Sequence, residues 1–329
     1  MKKKFNFDWA QLSVLICLII MFIFFSINAR NFLGVVNVLN ILKQIAMYGI
    51  CAVGMSMVIM TNGTDLSMGT VIGLTSCIAA MLDNKGLPII VTVIICIIIG
   101  ALVGLLNGVN VNEFNMFPMI ATMGSQVLFR GVAYIIANGI PVYITNADSK
   151  LSFMGKGLIL GKIPFQIIIM FVLFAIGIFV LTKTVYGREI YAVGGNQEAA
   201  RLAGISYKAT RYKAYIIAGV CAAIAGMVYA GRTGSGQPTG GTGYESVIIP
   251  ACVLGGVRLG GGEGKLQGVL VGVLFMGVLT NGMIMMGINE FWQTFAQGAV
   301  LLISIAFDKI ATNSSNKRKV KNTTVTEKA

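Results

Sequence analysis

An arginine in the middle of an apolar run is the first residue whose type asks for an explanation. Arg130 lies within ATMGSQVLFRGVAYII. A guanidinium in hydrocarbon is costly and ordinarily faces a partner or a cavity, unless it snorkels to the interface. Gln126 stands one turn earlier on the same helix face, so the two can line a polar path. Asn107, Asn281, Gln293 and Gln297 also interrupt apolar runs, the last two on one face. Such amides can hold the hydroxyls of a neutral solute, and they serve equally well as glue between helices. Asp65 opens an apolar run within NGTDLS, 62–67. There it either caps the helix, as Thr64 or Ser67 also could, or acts as a gating or pathway residue.

Other chemistries are excluded by what is missing. The chain has no His, so Ser-His-Asp and Cys-His catalysis and His-ligated metal sites are out. Its six Cys all sit inside apolar runs and form no CxxC pair; they read as small core residues. The stretch GGVRLGGGEGK (255–265) resembles a phosphate-cradling loop in composition, but Leu266 follows Gly264-Lys265 where the P-loop spacing needs Ser or Thr. No catalytic residue, metal site, nucleotide or other cofactor is expected.

These polar residues need a scaffold, and composition names it. Of 329 residues, 56% are hydrophobic and 11% charged, against about 25% charged in an average soluble domain. The apolar residues fall into runs of roughly twenty, the length of a helix that crosses a bilayer. Ten such segments are expected, near 11–28, 41–61, 67–82, 88–106, 117–137, 163–182, 212–231, 246–257, 266–286 and 291–308. The third and eighth are short and glycine-interrupted, so they should tilt, break or fail to span. The reading is an all-α polytopic membrane domain over 1–310, followed by a basic, disordered cytoplasmic tail, 311–329.

The net charge of +13 sets orientation rather than marking nucleic-acid binding, because Lys and Arg gather in alternate loops. With both termini in the cytoplasm, most of them lie inside. The first run is read as a retained span, since Asn28-Ala29-Arg30 makes a poor cleavage site. Trp9 and Trp292 stand near segment ends, as interfacial anchors do. A faint internal echo links GALVGLLNG (100–108) with GVLVGVLFMGVLTNG (268–282), and GTD (63–65) with GTGYE (241–245). Five segments separate the copies, which predicts two inverted five-helix halves.

The longest charged connector is GREIYAVGGNQEAARLAGISYKATRYK, 187–213. Gly194-Gly195-Asn196 predicts a turn, Gln197–Ala203 a short helix, and Gly204 its C-terminal stop. Within it EAARLAG (198–204) resembles the EAA-xxx-G coupling loop of ABC importer permeases. The wider string GREIYAVGGNQEAARLAGI is similar to the branch that imports ribose, galactose and xylose. TNGTDLSMG (61–69), ACVLGGVRLGGGEGKLQG (251–268) and INEFWQTFAQGAVLLISIAFD (288–308) resemble further signatures of that branch.

The resemblance implies a multi-pass permease of the bacterial inner membrane, moving a neutral monosaccharide by alternating access. It implies three partners: a cytoplasmic ABC ATPase, a periplasmic or lipid-anchored sugar-binding protein, and a second permease chain, with a homodimer the expectation. The coupling loop, 187–211, then grips the ATPase through Gly194, Gly195, Asn196, Glu198, Ala199, Ala200, Arg201 and Gly204. The sugar-binding protein would meet the outer loops, with 138–162 and 231–245 the longest. The alternative from another class, an ion-coupled secondary transporter, would want acidic residues mid-membrane, and Asp65 and Glu245 stand only at segment ends.

Overall fold

The computed structural model describes residues 9–146 and 148–306; the expected tail 311–329 lies outside them, as does the side chain of Trp9. Twelve helices run as α1 (Trp9–Asn28), α2 (Val35–Met60), α3 (Met68–Asn84), α4 (Ile89–Asn112), α5 (Pro118–Ile136), α6 (Lys150–Lys156), α7 (Phe165–Lys183), α8 (Val185–Gly195), α9 (Gln197–Leu202), α10 (Tyr207–Thr233), α11 (Glu245–Leu254) and α12 (Leu266–Met285). A further helix, α13, covers 290–306. Four two-residue strands complete the fold: β1 (Val142–Tyr143) pairs with β4 (Ser235–Gly236), and β2 (Leu158–Ile159) with β3 (Ile163–Pro164).

Each of the ten expected runs is a helix, and among the described residues six are long and apolar enough to cross a membrane: α2, α4, α5, α7, α10 and α12. Helices suit hydrocarbon because they satisfy every backbone group internally. Their ends follow local chemistry. Pro118 opens α5 at its first turn, and Asn31, Asn62, Asn115 and Asn138 take left-handed φ of 59°, 60°, 51° and 50° beyond helix ends. Three helices outrun their apolar stretch, α10 by starting at Tyr207 behind its Ser206 cap. α2 starts at Val35 and α4 continues to Asn112 because their polar residues turn inward: Asn37 donates to the Phe32 carbonyl at 2.8 Å and Asn112 to the Lys208 carbonyl at 3.3 Å.

α2 and α10 form the buried centre and pack on each other. α4 lies along α10, α12 along α2 and α11, α5 on α3, α7 on α2 and α1 on α12. Close approach of α4 and α10 depends on glycine. Gly100 and Gly104 of α4 meet the backbone of Gly219 and Tyr215, where any Cβ would collide, the small-residue packing that replaces hydrophobic driving force in lipid.

The eighth segment is short as expected, a helix of ten residues, and the stretch 231–245 before it packs along α3 instead of standing free as a loop. After β4 the chain descends alongside α3, with Gly236 against Ser76 and Cys77, Gly240 against Gly73 and Gly241 against Gly69. Ten residues of α11 complete that traverse. Glycine allows the irregular backbone to press against a helix, which is where such backbone is tolerated at membrane depth. The expected outer loop 138–162 is a folded cap at one end of the bundle. There α6 buries Leu151 and Gly155 against Gly231 and Arg232, and Asn84 accepts from the Thr145 amide while donating to the Tyr143 carbonyl. The opposite end carries α8, α9 and the 255–265 loop.

Candidate functional site

The connector 184–206 folds as two short helices, and its caps explain their lengths. Thr184 accepts from the Gly187 amide to start α8, and Asn196 accepts from the Ala199 amide at 3.0 Å to start α9. Gly194 and Gly195 are not the turn predicted for them; they are the last residues of α8, and the break falls at Asn196, whose extended backbone (φ −159°) separates α8 from α9. α9 ends as expected. Gly204 takes φ +78°, its amide bonds to the Arg201 carbonyl, and Ile205 N bonds to Ala200 O. This is the paired Schellman closure that glycine favours.

α9 presents a small, rigid outer face. Ala200 is buried beneath it, Ala199 is exposed, and Arg201 Nη2 and Glu198 Oε2 pair across one turn at 3.1 Å in the open. Leu202 is 81% exposed, a large apolar knob amid charge. The sequence reading passed over it, because only the burial of Ala200 fixes which face of α9 points outward.

α8 is fused to the core beneath. Gly194 abuts the Met60 carbonyl so closely that a Cβ there would collide with it, and the Gly262 amide donates to that same carbonyl at 2.9 Å. Tyr191 Oη donates to the Gly264 carbonyl at 2.9 Å. Arg258 and Glu263 pair at 2.7 Å across the 255–265 loop. Thus α8, the end of α2 and the loop between α11 and α12 meet at one glycine-lined junction. Nearby, Glu113 at the end of α4 accepts from Lys208 Nζ at 2.7 Å and Tyr212 Oη at 2.9 Å. The Lys208 hydrogen bond first, then that of Tyr212, holds the Glu113 carboxyl below its ordinary value.

The membrane-embedded candidates fall into separate groups. Arg130 Nη1 donates to the carbonyls of Pro238 and Gly240, the latter at 3.2 Å, so it grips the irregular half of the broken traverse. Gln126 Nε2 donates to Glu245 Oε1 at 3.3 Å, and Glu245 Oε2 is buried without a partner. Gln126 and Arg130 therefore do share a face, aimed at 238–245. Asp65 is 1% exposed. Its Oδ1 accepts from the Ser67 amide at 2.9 Å, Ser67 Oγ at 2.6 Å and Asn107 Nδ2 at 3.3 Å. It shapes the linker ahead of α3 instead of bonding to that helix's own amides. Asn281 exchanges hydrogen bonds with Asn37 at 3.0 Å and joins α12 to α2. Gln293 turns back to the Ile288 carbonyl at 2.8 Å, and Gln297 is half-buried on the same helix. A cleft of about 350 Å³ between α1, α2 and α12 is wholly apolar and offers nothing to a polar solute. No group of three or more His, Cys, Asp or Glu side chains close enough for a metal occurs among the described residues.

Comparison with known proteins identifies the family. The profile of the family described as branched-chain amino acid transport system / permease component matches residues 37–305. The ribose import permease protein RbsC of Bacillus subtilis is 37% identical over 310 residues, 94% of this chain and 96% of its own length. The galactose/methyl galactoside import permease protein MglC of Escherichia coli is 33% identical over 327 residues, covering 94% and 97%. The xylose transport system permease protein XylH of Escherichia coli is 33% identical over 359 residues, covering 91% of each. No solved structure matches significantly.

Proposed function

The chain belongs to the branched-chain amino acid transport system / permease component family, and we propose that it is the membrane-spanning subunit of a bacterial ABC importer for a neutral, ribose-like monosaccharide. The observation that carries the substrate class is likeness, over nine-tenths of the chain, to permeases named for ribose, galactose and xylose. The scarcity of charge suits a polyhydroxylated, uncharged cargo.

In this reading ten segments cross the inner membrane, both termini lie in the cytoplasm, and the end bearing α8 and α9 faces inward. Two inverted halves are supported by the pairing of α2, its 61–67 linker and α3 with α10, 234–244 and α11. Each is a long buried helix followed by an irregular stretch and a shorter helix, and the two run in opposite directions. A second permease chain, a cytoplasmic ATPase and a periplasmic or lipid-anchored sugar-binding protein complete the machine; ATP hydrolysis belongs to the partner.

Coupling runs through Gly194, Gly195, Asn196, Glu198, Ala199, Ala200, Arg201 and Gly204, with Leu202 added as the apolar knob. Asp65, Asn107, Gln126 and Arg130 act as gating residues on the two irregular stretches. Asn281, Gln293 and Gln297 are assigned to packing more than to the path. The partner must hold α9 differently in its nucleotide-bound and free states for the bundle to switch.

The test is uptake of labelled ribose into proteoliposomes holding the permease, its ATPase and the sugar-loaded binding protein. ATP-dependent accumulation is expected, lost in Glu198→Lys while membrane insertion stays intact. Accumulation by the permease alone would sink the reading.

A further inference from the structure

Beside the glycine junction lies a cleft of about 230 Å³ that is mostly polar. Its walls are the end of α2 (Thr61, Asn62), the turn between α8 and α9 (Asn196, Gln197), Gly260 and Arg211 of α10. Arg211 is the only charged side chain in the lining. Its Nε is buried and makes no hydrogen bond; the Tyr215 hydroxyl is its polar neighbour.

Half of the described cations at this end are neutralised, and of those that are not, Lys183, Arg188 and Lys265 lie outside the cleft. Arg201, Lys208, Lys213 and Arg258 each pair with a glutamate. Arg211 pairs with none among the described residues. A buried donor left unmade costs free energy, and a cation in a confined polar cleft focuses its field on whatever enters. The fitting occupant is a group with acceptor oxygens and negative charge.

We propose that Arg211 and this cleft receive an acidic side chain of the docked ATPase. The proposal rests on the coupling reading of α9. The cleft is bounded by the residues that start α9, so a partner gripping the Glu198–Leu202 face covers its mouth. A carboxylate seated there touches all three welded elements at once. It would report partner position to the linker ahead of α3 and to the loop between α11 and α12 together. Bidentate geometry favours arginine for this task over lysine.

The test is association of the ATPase with the full permease in nanodiscs, measured across a salt series. The variants are Arg211→Gln, Arg211→Lys, Arg211→Glu and, as reference, Leu202→Ala. Arg211→Gln should weaken association about tenfold and flatten its salt dependence, Arg211→Lys should retain part, and Arg211→Glu should abolish it. An ATPase variant with one interfacial acid changed to lysine should restore Arg211→Glu, a rescue that a merely misfolded permease would not show. Unchanged association in Arg211→Gln, with Leu202→Ala impaired, overturns the proposal and leaves the coupling reading standing. If neither matters, the coupling reading falls as well. Inorganic phosphate, titrated against the permease alone, separates the sources. Weak binding that competes with the ATPase supports a partner carboxylate. Tight phosphate binding without competition assigns the cleft to a free anion and overturns it.

Discussion

Arg130 shows what a single intramembrane charge can do when it finds carbonyls instead of water. Its guanidinium donates to Pro238 and Gly240, holding an irregular stretch that has few helical hydrogen bonds of its own. Arg130→Leu should leave insertion intact and lower transport about tenfold, a larger effect than its cost to thermal stability, because it removes a charge-assisted hydrogen bond that holds this stretch in place. Normal transport with a fallen melting temperature would make Arg130 structural only. Glu113 offers a titration. Its carboxyl is held below the ordinary value by Lys208 and Tyr212, so its contribution to stability is complete above the unfolded-state pKa of about 4.3. That contribution fades as pH falls toward the depressed folded-state value. The melting-temperature gap between the protein and Glu113→Gln should therefore shrink as pH drops below about 4.3. A gap that is constant with pH would show that the ion pair is not what the mutation removes. Of these residues the sequence showed the oddity of Arg130 but not its partners. Those are backbone carbonyls more than a hundred positions away, and no residue type advertises them.

At the scale of the element, two neighbouring glycines separate packing from flexibility. Gly194 faces the Met60 carbonyl and the Gly262 amide, both backbone atoms that cannot step aside, whereas nothing lies within 4 Å of a Cβ at Gly195. Gly194→Ala should force α8 off the end of α2, at about 1–3 kcal/mol for overpacking, and uncouple ATP hydrolysis from uptake. Gly195→Ala should be tolerated. Equal effects of the two on the uptake-to-hydrolysis ratio would deny the junction its role. Both glycines read alike in the sequence, as a turn, because local propensity carries no record of what packs against a helix end. α9 was legible for the opposite reason. Its cap, helix formers and terminal glycine all act within ten residues. The same distinction runs through the fold. The ten apolar helices were visible in hydropathy, and the shortness of α3 and α11 in their glycines. The descent of 235–244 alongside α3, the α6 cap and the β1–β4 pair depend on partners far along the chain, and they were not.

Across the whole molecule, the two ends of the bundle differ in kind. One is a folded cap built from α6 and the strand pairs, where Leu151 and Gly155 lock onto the end of α10. The other is a cationic platform from which α9 projects, with Lys183, Arg188, Arg211 and Lys265 left unpaired among the described residues. Positive charge is retained on the cytoplasmic side during insertion, so this platform should face inward, as a handle for an ATP-driven partner must. The orientation can be read directly with single cysteines. Leu202→Cys places a thiol on the outer face of α9, and Tyr143→Cys places one on the strand β1 of the cap; both parent side chains are exposed. The native Cys17 is also exposed and should first be replaced by alanine. A membrane-impermeant maleimide added to intact cells should label position 143 and spare position 202, and inside-out vesicles should reverse the pattern. Labelling of 202 from outside would turn the bundle over. The coupling surface, the Arg211 cleft and the sidedness of the cap would then all lose their assignments, because each depends on which end the motor can reach.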